Sequence, residues 1–331
     1  VQLIDWFSAS GITGSQSYNH YRDRDGHGTH CGGTATGLHF GWASNARVYS
    51  VKVGGLEGSG DSGTGININS VFDVIKGWHQ NKPVDPNTGF KRPTIVNASW
   101  GYSTSIGSGI TSILYRGTTY SSGNDSSFNS TPNSHMRDTY GFYPYYRSGN
   151  YRYPVRVPSV DADVQDCVDA GVHVCIAAGN NYFKIANSTD PDYNNVVFYP
   201  GASEYYHRGS SPFDEGALIV GNMNSSPLNA TTERKVASSS TGPGVNIFAA
   251  GTDILSCFST TNSYNDSAYW GNSSFRQGTI GGTSMASPQV CGVGALYLQA
   301  DPSLTPAQLQ DKLQKDALAV LKDESNPTNY G

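Results

Sequence analysis

The stretch Ala162-Asp163-Val164-Gln165-Asp166-Cys167-Val168-Asp169-Ala170-Gly171-Val172-His173-Val174-Cys175-Ile176-Ala177-Ala178 reads as a helix, a stop and a buried strand. Gly171 ends the helical part, because a glycine readily takes the backbone conformation that closes a helix. The unbroken apolar run from Val172 to Ala178 then suits a strand covered on both faces. Working outward, Val1 to Ile4, Val48 to Val53, Thr94 to Ala98, Leu218 to Val220 and Val245 to Ala250 read as strands of the same kind. Ser70 to His79 is helix-like, with Val71, Val74, Ile75 and Trp78 on one face. Strands alternating with helices predict an α/β fold, a mainly parallel central sheet with helices on both faces in a three-layer sandwich. A last helix opens at Thr305-Pro306-Ala307-Gln308, a capping-box pattern, and carries Leu309, Leu313, Ala317 and Val320 at helical spacing.

Composition narrows the class. The chain has 331 residues, 39 Gly and 16 Pro, and only 14% of its residues are charged, for a formal net charge of −5. Leu, Ile, Val and Phe are sparse, yet a disordered chain would also need high net charge, so a loop-rich folded protein fits. The mild acidity excludes general attraction to nucleic acid, which depends on clustered Lys and Arg. No apolar run reaches the length of a membrane span, and Val1-Gln2-Leu3-Ile4 lacks the form of a signal peptide. A start at Val1 within a strand-like run points to an upstream segment removed by processing or by design. Five cysteines, Cys31, Cys167, Cys175, Cys257 and Cys291, are too few and too scattered for a disulfide scaffold. Cys167 and Cys175 flank a helix-to-strand turn, where inert buried thiols are a simpler reading than a bridge.

Two long segments, Tyr102 to Ser159 and Asn181 to Gly216, interrupt the alternation and are rich in Ser, Asn, Gly, Pro and Tyr. Loops this long inside a compact domain carry their own structure or a function, so both read as insertions into one domain spanning residues 1–331. The first concentrates Tyr140, Tyr143, Tyr145, Tyr146, Tyr151 and Tyr153 near Arg137, Arg147, Arg152 and Arg156. It reads either as an exosite beside a binding groove or as a self-packed elaboration. Several Asn-x-Ser/Thr triplets occur, including those at Asn124, Asn129, Asn187 and Asn229, and in so Asn- and Ser-rich a chain many arise by chance.

Three clusters can carry chemistry. Gly281-Gly282-Thr283-Ser284-Met285-Ala286-Ser287-Pro288 sets Ser284 at the start of a helix, where free backbone N–H groups favour a developing oxyanion. The ordinary use of Ser there is as a helix cap. Asp23-Arg24-Asp25-Gly26-His27-Gly28-Thr29-His30-Cys31-Gly32-Gly33 supplies a base, since a hydroxyl is a weak nucleophile until an imidazole takes its proton. The same cluster could instead offer His27, His30 and Cys31 to zinc, although no further ligand set completes such a site. Asp5 ends the apolar run Val1-Gln2-Leu3-Ile4, where a carboxylate either turns the chain or orients an imidazole.

In the order Asp5, His27, Ser284, these motifs resemble the subtilisin-like serine proteases, the subtilase family. The resemblance covers most of the chain in outline and implies a subtilisin-like fold and a serine endopeptidase. It implies Ser284 as nucleophile, His27 as base and Asp5 as the residue that orients it, with Asp23 and Asp25 as rivals to Asp5 because the Asp5-to-His27 interval is short for the family. Val174-Cys175-Ile176-Ala177-Ala178-Gly179-Asn180 looks like the family strand ending in the oxyanion-hole asparagine, so Asn180 and the Ser284 N–H would share the oxyanion. Gly58-Ser59-Gly60 and Ser99-Trp100-Gly101 are similar to the segments that flank an extended substrate, with Ala177, Ala178 and Gly179 nearby. The resemblance further implies a polypeptide substrate, no catalytic cofactor, structural calcium with no assignable ligands, a removed N-terminal pro-segment and an extracellular location. It leaves the P1 preference and oligomeric state open. An inactive subtilase-fold binding protein and, less favoured, a zinc hydrolase are the competing readings.

Overall fold

The computed structural model describes residues 4–16, 23–53, 66–106, 109–128, 134–142, 145–147, 150–224, 234–317 and 322–323. At its centre the strand His173–Ala177 lies parallel between Ile95–Ala98 and Leu218–Met223, and Ile247–Ala250 runs parallel beside Leu218–Met223. All five residues of His173–Ala177 are buried, as an apolar run without alternation requires. Its side chains divide between the layers: Val174 and Ile176 face one apolar cluster and Cys175 the other. Its neighbour does the same with Ile219 against Leu218 and Val220. The first cluster is closed by the helices Val71–Asn81 and Pro158–Asp169, the second by Thr283–Ala300 and Pro306–Asp316. The result is the three-layer α/β sandwich.

The helix before the central strand starts at Pro158, ahead of Ala162, because proline at the first helical position is preset for it. Gly171 follows in the left-handed conformation, φ +85°. The capping box forms as read: Gln308 N donates to Thr305 Oγ1 at 3.3 Å, and Thr305 N donates to Gln308 Oε1 at 2.9 Å. That helix buries Leu309 and Leu313 and ends at Asp316 with Ala317 extended, one turn shorter than its apolar spacing suggested, while Val320 lies outside the described residues.

Two expected strands need correction or qualification. Val48 to Val53 forms no ladder among the described residues. Its backbone groups go elsewhere: Ser50 O accepts the Trp6 indole N–H at 3.2 Å and Lys52 O accepts Ile66 N–H at 2.8 Å, while Val51 and Val53 pack against the core and the Tyr49 ring against Trp6 and Trp78. Of Val1 to Ile4, residues 1–3 lie outside the described set; Ile4 is not in a strand, and Asp5 already caps the short helix Trp6–Ser10.

The two long segments fold onto one another. Ser112–Tyr115 from the first pairs on one side with Thr118–Tyr120 and on the other with Val196–Tyr199 from the second, which continues into Ala202–Tyr205. Ser103–Ile106, Asn150–Pro154 and Tyr145–Arg147 make a further small sheet. Together they enclose a separate cluster that includes Ile113, Met136, Tyr140, Phe142, Tyr153, Phe183, Val197 and Tyr206. Chain 102–159 therefore leaves the central layer at Gly101 and re-enters it at Pro158 with its own core.

Candidate active site

Two helices meet where the candidate residues gather. Thr283–Ala300 and His27–Thr36 approach until a Cβ at Gly292 would stand 2.6 Å from Ala35 O, so only glycine allows this crossing. An antiparallel sheet of Ile254–Phe258, Ser267–Tyr269 and Asn272–Ile280 braces the second helix, with Ser256 Oγ donating to His30 O at 2.8 Å.

His27 is the first residue of its helix, and the acidic cluster before it builds the turn. Asp23 Oδ1 accepts Gly26 N–H at 2.8 Å, and its Oδ2 accepts both Thr29 N–H and Thr29 Oγ1–H at 2.7 Å. Burial works against the ionised Asp23, but these hydrogen bonds outweigh it and hold the carboxyl below its usual pKa. Asp25 Oδ2 accepts the backbone N–H of His27 at 3.2 Å. Both rivals to Asp5 thus serve backbone amides. Burial pushes the His27 imidazole below its ordinary pKa, against the opposing pull of Asp25 and then Asp23. Such a ring is neutral at pH 7 and able to accept a proton.

Ser284 sits in the first turn of its helix behind Gly282, whose φ of +143° favours glycine. Its Oγ donates to Ser99 O at 3.3 Å. Pro288, four residues on, has no N–H, so the Ser284 carbonyl loses its helical partner. Ser99 Oγ at 2.8 Å and the Cys31 thiol at 3.3 Å donate to that carbonyl instead. Cys31 Sγ also lies 3.9 Å from His27 Nδ1, which links the two helices through a single buried side chain. Its thiol is pushed up to about 12, first by burial, so it stays protonated and donates.

Asn180 follows the central strand. Its Oδ1 accepts Thr283 N–H at 2.8 Å and Thr283 Oγ1–H at 3.1 Å, and Thr283 Oγ1 in turn accepts Gly179 N–H at 3.1 Å. With Oδ1 doubly occupied, the amide can turn only its Nδ2 donors elsewhere, and Nδ2 lies on the open face of Gly282, 3.2 Å from where a Cβ would stand. A carboxamide fixed in this sense, one residue from the first turn of the Ser284 helix, is a preorganised donor.

His27, Cys31, Ser99, Ser284, Thr283 and Asn180 are therefore one connected set. Among the described residues the Ser284 hydroxyl is hydrogen-bonded to Ser99 rather than to His27. Asp5 Oδ1 accepts Ser8 N–H at 3.1 Å, as the N-cap of its helix, and Gln16 secures the turn by donating to Ile4 O at 2.6 Å. Gly58, Ser59 and Gly60 lie outside the described residues. Trp100 packs on the core 6.2 Å from the Phe72 ring, while Gly101 is exposed and faces Ser210 Oγ, 2.6 Å from where its Cβ would be. Ala177 and Ala178 are buried, and Gly179 turns the chain with φ +101°. Sequence reasoning did not assign Thr283 its role as a clamp or Cys31 its role as a bridge, nor Pro288, outside the set, its effect on the Ser284 carbonyl. The interval Ser284-x-x-x-Pro288 is itself a signal that the carbonyl of Ser284 must find a side-chain partner.

The zinc alternative does not assemble. His30 Nε2 is bonded to Ile254 O at 2.9 Å and Gly278 O at 3.2 Å, so that ring ties the bracing sheet to its helix. All five cysteines are free thiols. Cys167 donates to Phe72 O on one side of the sheet, whereas Cys175 lies on the other side beside Cys291, which excludes a Cys167–Cys175 bridge here.

The model of the subtilase family matches residues 6–331 of this chain, and the chain belongs to that family. It is 27% identical over 307 residues to a subtilisin-like protease of Coccidioides posadasii, an alignment covering 90% of this chain and 43% of that protein. It is 26% identical to cerevisin of Saccharomyces cerevisiae, with 88% of this chain and 33% of that one covered. With alkaline protease 2 of Aspergillus fumigatus the identity is 26% and the cover 90% and 43%. The chain thus spans less than half the length of these relatives. Among solved structures it resembles Sphericase, with TM-score 0.54, 22% identity and cover of 96% of this chain and 77% of that one. A cold-adapted subtilisin-like serine proteinase superposes with TM-score 0.51 and 23% identity, covering 93% and 72%. These structural likenesses support the subtilisin-like fold.

Proposed function

We propose that this chain is a serine endopeptidase that cleaves polypeptides through an acyl-enzyme. The observation that carries the reading is the Thr283 clamp, which occupies Asn180 Oδ1 and leaves its Nδ2 without a hydrogen-bond acceptor among the described residues, beside the helix turn bearing Ser284. Ser284 Oγ leaves the Ser99 carbonyl, gives its proton to His27 and attacks the scissile carbonyl carbon. The oxyanion takes hydrogen bonds from Asn180 Nδ2 and Ser284 N–H, and His27 passes the proton to the leaving amine. Water then repeats the sequence to release the acyl group. Asp5 orients His27 in this reading, and the segments Gly58–Gly60 and Ser99–Gly101 hold the substrate as an added strand, with Ala177 to Gly179 alongside.

The reading treats residues 1–331 as one catalytic domain with two insertions, matured by loss of a pro-segment and acting outside the cytosol. No helix of the described residues is long and apolar enough to cross a membrane. For the structural calcium that the family resemblance implies, no group of three or more His, Cys, Asp or Glu gathers among the described residues, and Asp190 and Asp192 are engaged by Lys184 and Arg116. No step is routed through it.

Turnover of a fluorogenic peptide tests the proposal. Ser284→Ala is expected to lower kcat by about 10⁶-fold with an unchanged melting curve. A variant that keeps wild-type turnover would leave the fold without the assigned chemistry.

A further inference from the structure

At the far end of the His27–Thr36 helix, away from Ser284, aromatic rings from two loops interlock in the open. The hairpin strands Ser267–Tyr269 and Asn272–Ile280 turn through Trp270-Gly271. Tyr269 stacks on His39 at 5.7 Å and 27°, meets Phe40 edge-on at 6.2 Å, and touches Trp270 at 5.2 Å. Trp270 also reaches His39, at 6.2 Å. A Cβ at Gly271 would stand 2.6 Å from the Tyr269 ring, so the glycine lets that ring lie flat over the turn. The rings are thus held in place before any ligand arrives. Yet Trp270 is 78% exposed and Phe275 62%, with Leu38 beside His39 in sequence at 77%. Exposed Trp270 and His39, packed on each other and on the half-buried Tyr269, form an aromatic surface of the kind that marks an interaction site on a folded domain.

Its chemistry selects the partner. Neither Gly37 to Ala46 nor Ser267 to Phe275 contains a Lys, Arg, Asp or Glu. Arg276, next in the hairpin, is neutralised by its ion pair with Asp266. These two segments offer an anionic membrane or a charged protein no charged complement. Asn272, Ser273 and Ser274 instead place amide and hydroxyl groups directly after the exposed indole. Flat exposed rings with neutral hydrogen-bonding groups beside them match the two faces of an uncharged sugar, its C–H face and its hydroxyl edge.

We propose that the His39, Tyr269 and Trp270 platform binds neutral polysaccharide. The ten-residue helix separates it from His27 by about 15 Å, so it would hold the protein on a glycan-bearing material without entering the cleavage site. Native affinity electrophoresis tests this in gels containing a soluble β-1,3-glucan, a galactomannan or hydroxyethylcellulose. The intact chain is expected to be retarded by at least one of them. Trp270→Ala should weaken that retardation about tenfold and Trp270→Phe much less, because the ring supplies the contact. Hydrolysis of a short soluble peptide should be unchanged in both variants. No retardation in any gel, or equal retardation of wild type and Trp270→Ala, would overturn the proposal. So would a concentration-dependent dimer, or binding to neutral phosphatidylcholine vesicles, that disappears in Trp270→Ala, since the platform would then serve a second copy or a lipid surface.

Discussion

The central layer and the inserted module solve the burial problem with different materials. The central strands bury aliphatic side chains on both faces, with Val174, Ile176, Ile219 and Val220 almost wholly enclosed. The module buries rings and charges. Tyr206 OH donates to Tyr140 O at 2.9 Å, and Asp192 accepts from Arg116 Nε at 2.6 Å, Lys184 Nζ at 3.0 Å and Asn195 Nδ2 at 3.1 Å. An aliphatic layer is non-directional and tolerates repacking, whereas a buried polar network is stable only while every member is paired. The contrast teaches where function sits: the candidate catalytic set is anchored to the aliphatic layer, while the module meets that layer through Tyr102, whose N–H donates to Ser211 O at 3.0 Å, and through Ile185 and Phe213, which join the first apolar cluster.

Breaking each region in turn sharpens the comparison. In the central layer, Asn180→Ala is expected to lower kcat about 10² to 10³-fold with little change in KM, read from steady-state peptide hydrolysis. Acid should then fail to separate the regions. His173 in the central layer, His79 on the helix Val71–Asn81 that covers it and His207 in the module are each pushed down to about 4, first by burial. Between about pH 6.5 and pH 4 the unfolded chain binds protons that these folded imidazoles do not. Stability therefore falls through that window as pH is lowered, by up to about 3 kcal/mol per histidine, and levels off below it. Denaturant melts at several pH values check this, and a flat profile from pH 7 to 4 would contradict it.

Asp192→Ala should distinguish the regions where acid does not. It strands the half-exposed Arg116 and leaves Lys184 with Asp190 alone, at a cost of about 2 kcal/mol once solvent screening of Arg116 is allowed for. Hydrogen exchange should rise in Ser112–Tyr115 and Val196–Tyr199 while His173–Ala177 stays protected and hydrolysis of a short peptide persists. The smallest effect is expected at the clamp. Thr283→Val keeps the backbone N–H on Asn180 Oδ1 but removes the hydroxyl, and kcat should fall about tenfold or less, with Thr283→Ser restoring most of it.

The same contrast explains what the sequence could and could not reveal. Val172 to Ala178 is legible because a strand buried on both faces writes its environment into consecutive residues. Ser70 to His79 and the Thr305 capping box are legible because helical spacing and caps are local. The module's sheet was hidden because Ser112–Tyr115 pairs with Val196–Tyr199, far along the chain, and neither strand alternates cleanly. Val48 to Val53 misled for a related reason: apolar residues mark a buried edge, but a strand also needs a partner, and here the backbone bonds to Trp6 and Ile66. Ser284, His27 and Asn180 were legible as motifs. Thr283, Cys31 and Ser99 acquire their positioning contacts only when two helices and a strand end converge.

The central claim is that Ser284 is the nucleophile of this connected set. Reaction of the folded chain with a fluorophosphonate, followed by intact mass and peptide mapping, tests it most directly. One phosphonyl group is expected per chain, on Ser284, with none on Ser284→Ala and slowed labelling in a folded His27→Ala variant. A label carried by another serine, or persisting in Ser284→Ala, would contradict it.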